Sequence, residues 1–225
     1  MIQIENYGVC GWESAIRGMR NPMNSWDRSD TIENDSTITI GANDLKLMQK
    51  LADAGPVHGK YRRMLTVYLD VTAPLYWWKE YDTYKIGTVA NSCSTMHKIH
   101  AAPFTPDDFS HDHLLDDTRR IDDLLTFDDE YHYTAHGILC NIIIPTLNFF
   151  REKFIETDDK RYWWQLIQLL PSSYNQKRTV MLNYEVLSTM YRDRRNHKLD
   201  EWRVFCNFVK TLPYSELITG EGEQS

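Results

Sequence analysis

Only four cysteines, Cys10, Cys93, Cys140 and Cys206, occur in 225 residues, and no two of them form a Cys-x-x-Cys pair. With no apolar secretory stretch at the N-terminus either, a reduced, cytoplasmic chain is expected. Long hydrophobic runs are also missing. The longest, Gly137 to Pro145 (GILCNIIIP), is far short of the roughly 20 residues needed to span a bilayer, so no membrane partner is expected. Positive charge is scarce: 25 Lys and Arg face 32 Asp and Glu, for a formal net charge of −7. A dedicated nucleic-acid binder concentrates positive charge against the phosphate backbone, so small molecules or like subunits are the expected partners. No internal repeat is visible.

What is present suffices for one large core. At 42% apolar composition the chain reads as a single domain over residues 1–217, with an acidic insertion near 101–129 and a disordered tail at 218–225. The first forty residues suggest short strands and a helix. From Asn43, placed to cap a helix, Leu45, Met48, Leu51 and Ala52 recur at helical spacing until Gly55-Pro56. Met64 to Val71 alternates as a strand, and a helix carrying Leu75, Trp78 and Tyr81 follows Ala73-Pro74. The insertion, rich in Asp pairs and broken by Pro103 and Pro106, reads as solvated helix and loop. Residues 130–156, 161–169, 177–193 and 198–211 read as helices, giving a mixed α/β chain with a mostly helical second half.

Several chemistry-bearing groupings are weak. His132 and His136 stand four apart, with His111-Asp112-His113 upstream, but nothing fixes a third ligand on a rigid element and no metal is expected. Cys93 and His97 have nucleophile-and-base spacing; a buried, inert thiol is the favoured reading. Trp77-Trp78 and Trp163-Trp164 are expected in the core and in subunit contacts, with a stacked base or isoalloxazine as the alternative for one of them. Arg192, Arg194 and Arg195 end a helix and suit either solvation there or an anion.

Residues 170–217 carry the most specific order of elements: Leu170-Pro171, then Asn183, then the arginine cluster, then Asp200-Glu201-Trp202. This order resembles the C-terminal region of the flavin-dependent thymidylate synthases, where Leu-Pro, a helical Asn and a Leu-Arg element precede Ala-Gln-Trp-Glu. Upstream, His58-Gly59-Lys60, the strand and Ala73-Pro74 stand where that family has His-x-Ser/Thr, a strand and Ala-Pro. The segment Tyr84 to Met96 then corresponds to the family signature Arg-His-Arg-x-x-Ser-x-Asn-x-x-Ser-x-Arg. The resemblance covers residues 43–98 and 160–215. It implies that family's fold and a homotetramer with shared sites. It also implies flavin contacts at His58, Lys85, Asn91 and Asn183, and a nucleotide phosphate held by Arg194 or Arg195, with Ser94 near a helix N-terminus.

The departures carry equal weight. Tyr84, Lys85 and Ile86 replace the Arg-His-Arg triplet, Val89 the first signature serine, Ser92 the glutamate beside the asparagine, and Met96 the final arginine. Guanidinium groups grip phosphate and pyrimidine carbonyls with paired donors at fixed angles that these side chains cannot reproduce. Glu185, where the family has arginine, adds negative charge near the expected cofactor phosphates. The resemblance therefore implies a divergent member that binds a nucleotide or nucleotide-derived ligand without methylating deoxyuridylate, with FAD weakly held or lost. The alternative is an active synthase using FAD, reduced nicotinamide cofactor and methylene-tetrahydrofolate.

Overall fold

The computed structural model describes residues 2–34, 37–116 and 134–220. A four-stranded sheet of order β1-β4-β6-β5 is built from β1 (Gln3–Cys10), β4 (Thr66–Pro74), β6 (Asn175–Asn183) and β5 (Val89–Ser92). In β4 the period-two pattern turns Val67, Leu69 and Val71 inward, each at most 1% exposed. A small antiparallel hairpin pairs β2 (Ile32–Asn34) with β3 (Thr37–Thr39).

Contacts divide the chain into two compact units. One takes the described residues of 72–79 and 92–177, the other those of 2–71, 80–91 and 178–220. In the first, α3 (Leu75–Tyr81) begins directly after Pro74, as expected, and its Trp77 and Trp78 are fully buried. The Trp78 indole donates to the Gln176 carbonyl at 2.8 Å, which satisfies the polar end of an otherwise apolar side chain. Helices α6 (Ile144–Thr157) and α7 (Lys160–Leu169) pack around Leu147 and Leu166. A π-helical turn, Leu139–Ile143, joins α5 (Ala135–Ile138) to α6. Pro145 lacks the N–H that would close the Asn141 carbonyl into an α-helical bond, and the turn widens there.

The start of the acidic insertion is not solvated loop. Phe104 and Phe109 join the core of this unit, Asn148 makes two hydrogen bonds with the Phe104 backbone, and the Ser110 N–H donates to Ser173. Residues 117–133, and with them His132, lie outside the described residues.

The second unit holds α1 (Trp12–Arg20), α2 (Ala42–Asp53), α8 (Tyr184–Arg194), α9 (Asp200–Val209) and α10 (Glu216–Thr219). Three sequence expectations fail here. The disordered tail expected from 218 starts inside α10, where Ile218 is buried. The expected helix over 177–193 is a strand up to Asn183 and a helix only from Tyr184. Thr179 and Val180 are β-branched, and pairing in the sheet interior overrides the helical spacing. Asn43 is likewise not the cap of α2. Gly41 is, and the Asp30 carboxylate accepts the Asn43 and Asp44 N–H groups at 2.9 and 3.0 Å. A β-carbon on Gly41 would lie 2.2 Å from the Asp30 carboxyl carbon, so glycine makes this remote cap possible.

Candidate functional site

Asn183 ends β6 and caps α8, accepting the Val186 N–H at 2.9 Å while its amide donates to the Gly87 carbonyl at 3.3 Å. Both ends of the side chain are therefore used within the protein. It ties the loop 84–88 to the β6–α8 junction. Gly87 adopts φ +73°, and a β-carbon there would sit 2.4 Å from the Asn183 amide nitrogen, so only glycine allows this approach. Lys85 lies on that loop and Asn91 on β5, both exposed. Ser94 caps the four-residue helix α4 (Thr95–Lys98), where its hydroxyl accepts the His97 N–H at 3.1 Å. So short a helix offers little dipole to an anion. Ser94 belongs to the first compact unit, whereas His58, Lys85, Asn91, Asn183, Arg194 and Arg195 all belong to the second.

Arg194, the last residue of α8, is engaged on several sides. Its Nε donates to the Tyr84 hydroxyl at 2.9 Å and its Nη1 to Glu80 Oε2 at 2.8 Å, while His197 Nε2 lies 3.0 Å from Nη1. The guanidinium also stands 5.0 Å from the Trp202 ring and 5.6 Å from that of Tyr84, within cation–π range. Arg195 has a different neighbourhood. It lines a polar cavity of about 650 Å³ that Arg62, Arg192, Glu185, Asp53 and Glu216 share. Glu185 pairs with the buried Arg62 at 2.7 Å, and this neutralises its negative charge.

A cavity of about 1210 Å³ opens beside His58. Arg28, His58 and Lys60 line it together with Met19, Leu47, Leu51, Val57, Tyr61 and Met64, and no carboxylate among the described residues does. Arg20 also borders it, but its charge is matched by Asp44 at 2.6 Å, with both side chains at most 4% exposed. The same arginine donates to the carbonyls of Ser25 and Arg28 at 3.1 and 3.0 Å and so fixes the stretch that carries Arg28. Arg28 and Lys60, with no carboxylate among the described residues lining the same cavity and with apolar surface beside them, suit an anion joined to a flat apolar group. The volume also admits a dinucleotide such as FAD, with Arg28 and Lys60 as the groups to hold its pyrophosphate.

Sequence spacing missed several juxtapositions. Arg28 and Lys60 line one cavity from 32 positions apart, and Glu80 reaches Arg194 across 114. Cys140 Sγ lies 3.6 Å from His136 Nε2, an i, i+4 pair with the same spacing as Cys93 and His97. Cys93 is exposed, and its backbone N–H donates to Lys177. Burial pushes the Cys206 thiol up to about 11, which leaves it inert at neutral pH.

No known family profile matches the sequence. No curated protein matches it in sequence. Solved structures do match in fold. The flavin-dependent thymidylate synthase ThyX from Helicobacter pylori, complexed with FAD and dUMP, has a TM-score of 0.64 at 15% identity, over 97% of this chain and 98% of that one. A second structure of ThyX from that organism, also with FAD and dUMP, gives 0.64 at 15% identity over 98% of each chain. The UMP/dUMP methylase PolB from Streptomyces cacaoi, bound with 5-Br dUMP, gives 0.60 at 14% identity over 99% of this chain and 95% of that one. At nearly full length, and well beyond the two stretches in which the sequence shows the resemblance, the chain has the fold of the flavin-dependent thymidylate synthases.

Proposed function

We propose that the chain is a nucleotide-binding protein on the thymidylate synthase fold, which senses or sequesters a nucleotide or nucleotide-derived ligand and does not methylate deoxyuridylate. The cavity beside His58 carries this reading, because Arg28 and Lys60 offer positive charge to a phosphate while the neighbouring Met, Leu and Tyr side chains offer a surface to a base. The neighbours in fold hold dUMP, 5-Br dUMP or FAD, which supports a ligand of that chemistry. Mass spectrometry of small molecules released from the native protein is expected to find a phosphorylated nucleotide or a derivative of one. A charge-assisted phosphate contact contributes about 1.5–3 kcal/mol. Arg28→Ala and Lys60→Ala are each therefore expected to weaken calorimetric binding of that ligand about ten- to a hundredfold. Unchanged affinity in the double variant would remove the cavity from consideration.

The second reading is the active synthase, and the cavity volume favours it because a flavin dinucleotide fits. Flavin bound there would supply the hydride chemistry. With Lys85 exposed and Asn183 committed to Gly87 and Val186, flavin is expected to be weakly held. A yellow protein that keeps stoichiometric flavin through gel filtration would support the synthase instead. A homotetramer accompanies either reading. Met23, Val57 and Ile86, at 81%, 78% and 82% exposure, give apolar surface suited to a symmetric partner. Light scattering is expected to return four chain masses at micromolar concentration, and a monomer would exclude shared sites.

A further inference from the structure

Where α5 runs into the π-helical turn, Cys140 Sγ lies 3.6 Å from His136 Nε2 and 3.9 Å from Nδ1. A tetrahedral zinc ion with ordinary bond lengths holds its nitrogen and sulfur ligands about 3.6 Å apart. The pair therefore has the bite of two ligands of one ion. His111 comes to it from another segment, with its ring centroid 5.6 Å from that of His136. Its Nδ1 lies 2.9 Å from the Phe109 carbonyl. That oxygen can only accept, so in the neutral ring Nδ1 carries the proton and Nε2 the lone pair. A histidine that ligates a metal is almost always oriented in this way through its other nitrogen. The core places His111 as well: Phe109 is buried, and the Ser110 N–H and hydroxyl donate to Ser173 and Asn175. Beyond it, the His136 N–H donates to the Leu115 carbonyl and the Thr134 hydroxyl to Asp116, which ties this segment to the start of α5. His111, His136 and Cys140 are half-buried and belong to the first compact unit.

We infer that His111, His136 and Cys140 form a binding site for a zinc-like divalent cation, with two imidazoles and a thiolate as ligands and water in the fourth position. That donor set selects zinc, whereas magnesium and calcium take oxygen ligands. Among the described residues no three His, Cys, Asp or Glu side chains already converge to hold an ion. The adjustment required is small. Two imidazoles on one tetrahedral ion have centroids about 5 Å apart, roughly half an ångström closer than the rings of His111 and His136 stand. Side-chain torsions of half-buried rings cover that distance, so the cation closes the site as it binds. Once bound, it would clamp the segment that carries His111 to α5 and the π-helical turn.

The test is titration of the full-length protein, stripped with a chelator, with zinc chloride by calorimetry and with cobalt(II) chloride by absorption. One ion per chain is expected, and cobalt is expected to give a thiolate-to-metal charge-transfer band. Cys140→Ser should abolish that band. Removing a group that only orients a ligand costs about 10–100-fold in metal affinity. Loss of a ligand itself, in Cys140→Ser, His136→Ala or His111→Ala, is therefore expected to weaken zinc binding at least about a hundredfold. Cys93→Ser, at an exposed cysteine outside the site, is expected to keep both the band and the affinity. Zinc should also raise the thermal unfolding midpoint of the wild type but not of Cys140→Ser. A wild type that binds no zinc, or wild-type zinc affinity in Cys140→Ser or His111→Ala, would overturn the inference. X-ray absorption at the zinc edge of the loaded wild type decides the matter if a variant does not fold. One sulfur among nitrogen and oxygen neighbours is expected there, and a shell with no sulfur, or with more than one, overturns the site. None of these outcomes depends on what the cavity beside His58 holds.

Discussion

Asp44→Ala is expected to lower the unfolding free energy by about 3–5 kcal/mol, the cost of leaving one partner of a buried ion pair uncompensated. Asp44 is 0% exposed, and its two oxygens accept from Arg20 Nε, the hydroxyls of Ser29 and Thr31, and the backbone N–H groups of Asp30 and Thr31, at 2.6 to 3.1 Å. Burial by itself would raise this carboxyl. The hydrogen bonds from Ser29, Thr31 and Arg20, together with the Arg20 charge, outweigh it and hold the group below the ordinary carboxylate value. The unfolded chain therefore takes up a proton on this group at a higher pH than the folded one. The contribution is complete above the ordinary carboxylate value of about 3.9 and is lost as pH falls through the depressed folded value. Chemical denaturation at pH 7 should show the full difference between wild type and variant, and the difference should shrink below about pH 4. A constant difference across that range would mean that Asp44 stabilises by packing alone.

The same substitution connects fold to site. Arg20, freed from Asp44, would loosen its hold on the Ser25 and Arg28 carbonyls, and Arg28 lines the cavity. Ligand affinity is therefore expected to fall in Asp44→Ala even though Asp44 does not line that cavity.

Sequence made some of this legible and concealed the rest for identifiable reasons. Pro74 marks the start of α3 because proline fits the strand-to-helix junction, and the alternation of Val67, Leu69 and Val71 marks β4, because both signals are local. The segment through β6 and α8 misleads because Val180, Tyr184, Leu187 and Tyr191 follow helical spacing, while the strand depends on neighbours in the sheet that lie far away in sequence. Capping of α2 by Asp30, and the placing of Glu80 on Arg194, depend on tertiary approach in the same way. Nothing near Glu80 marks it as the partner of an arginine 114 positions later. Asn183 shows the reverse case: the sequence isolates it as a site residue, and the structure gives both ends of its side chain to the joint between the loop 84–88 and α8. Such a joint can shape a site without touching a ligand.

Supplied with deoxyuridylate, methylene-tetrahydrofolate, reduced nicotinamide cofactor and FAD, the purified protein is expected to form thymidylate no faster than a protein-free control. The resemblance places substrate-polarising guanidinium groups at positions that here hold Tyr84, Ile86 and Met96. Ile86 and Met96 are 82% and 46% exposed and offer no donor, while the Tyr84 hydroxyl accepts from Arg194. Losing one preorganised donor at a site of developing charge costs about 10²–10³ in kcat, so the loss of several together is expected to leave no turnover that the assay detects. Arg194 does not compensate while Glu80 occupies its Nη1. Chromatographic detection of thymidylate in the presence of each component, and with each omitted in turn, decides the matter. Thymidylate that accumulates above the control and stops when flavin is omitted would replace the binding reading by the synthase one, and would require a different set of donors to do the work of the missing arginines.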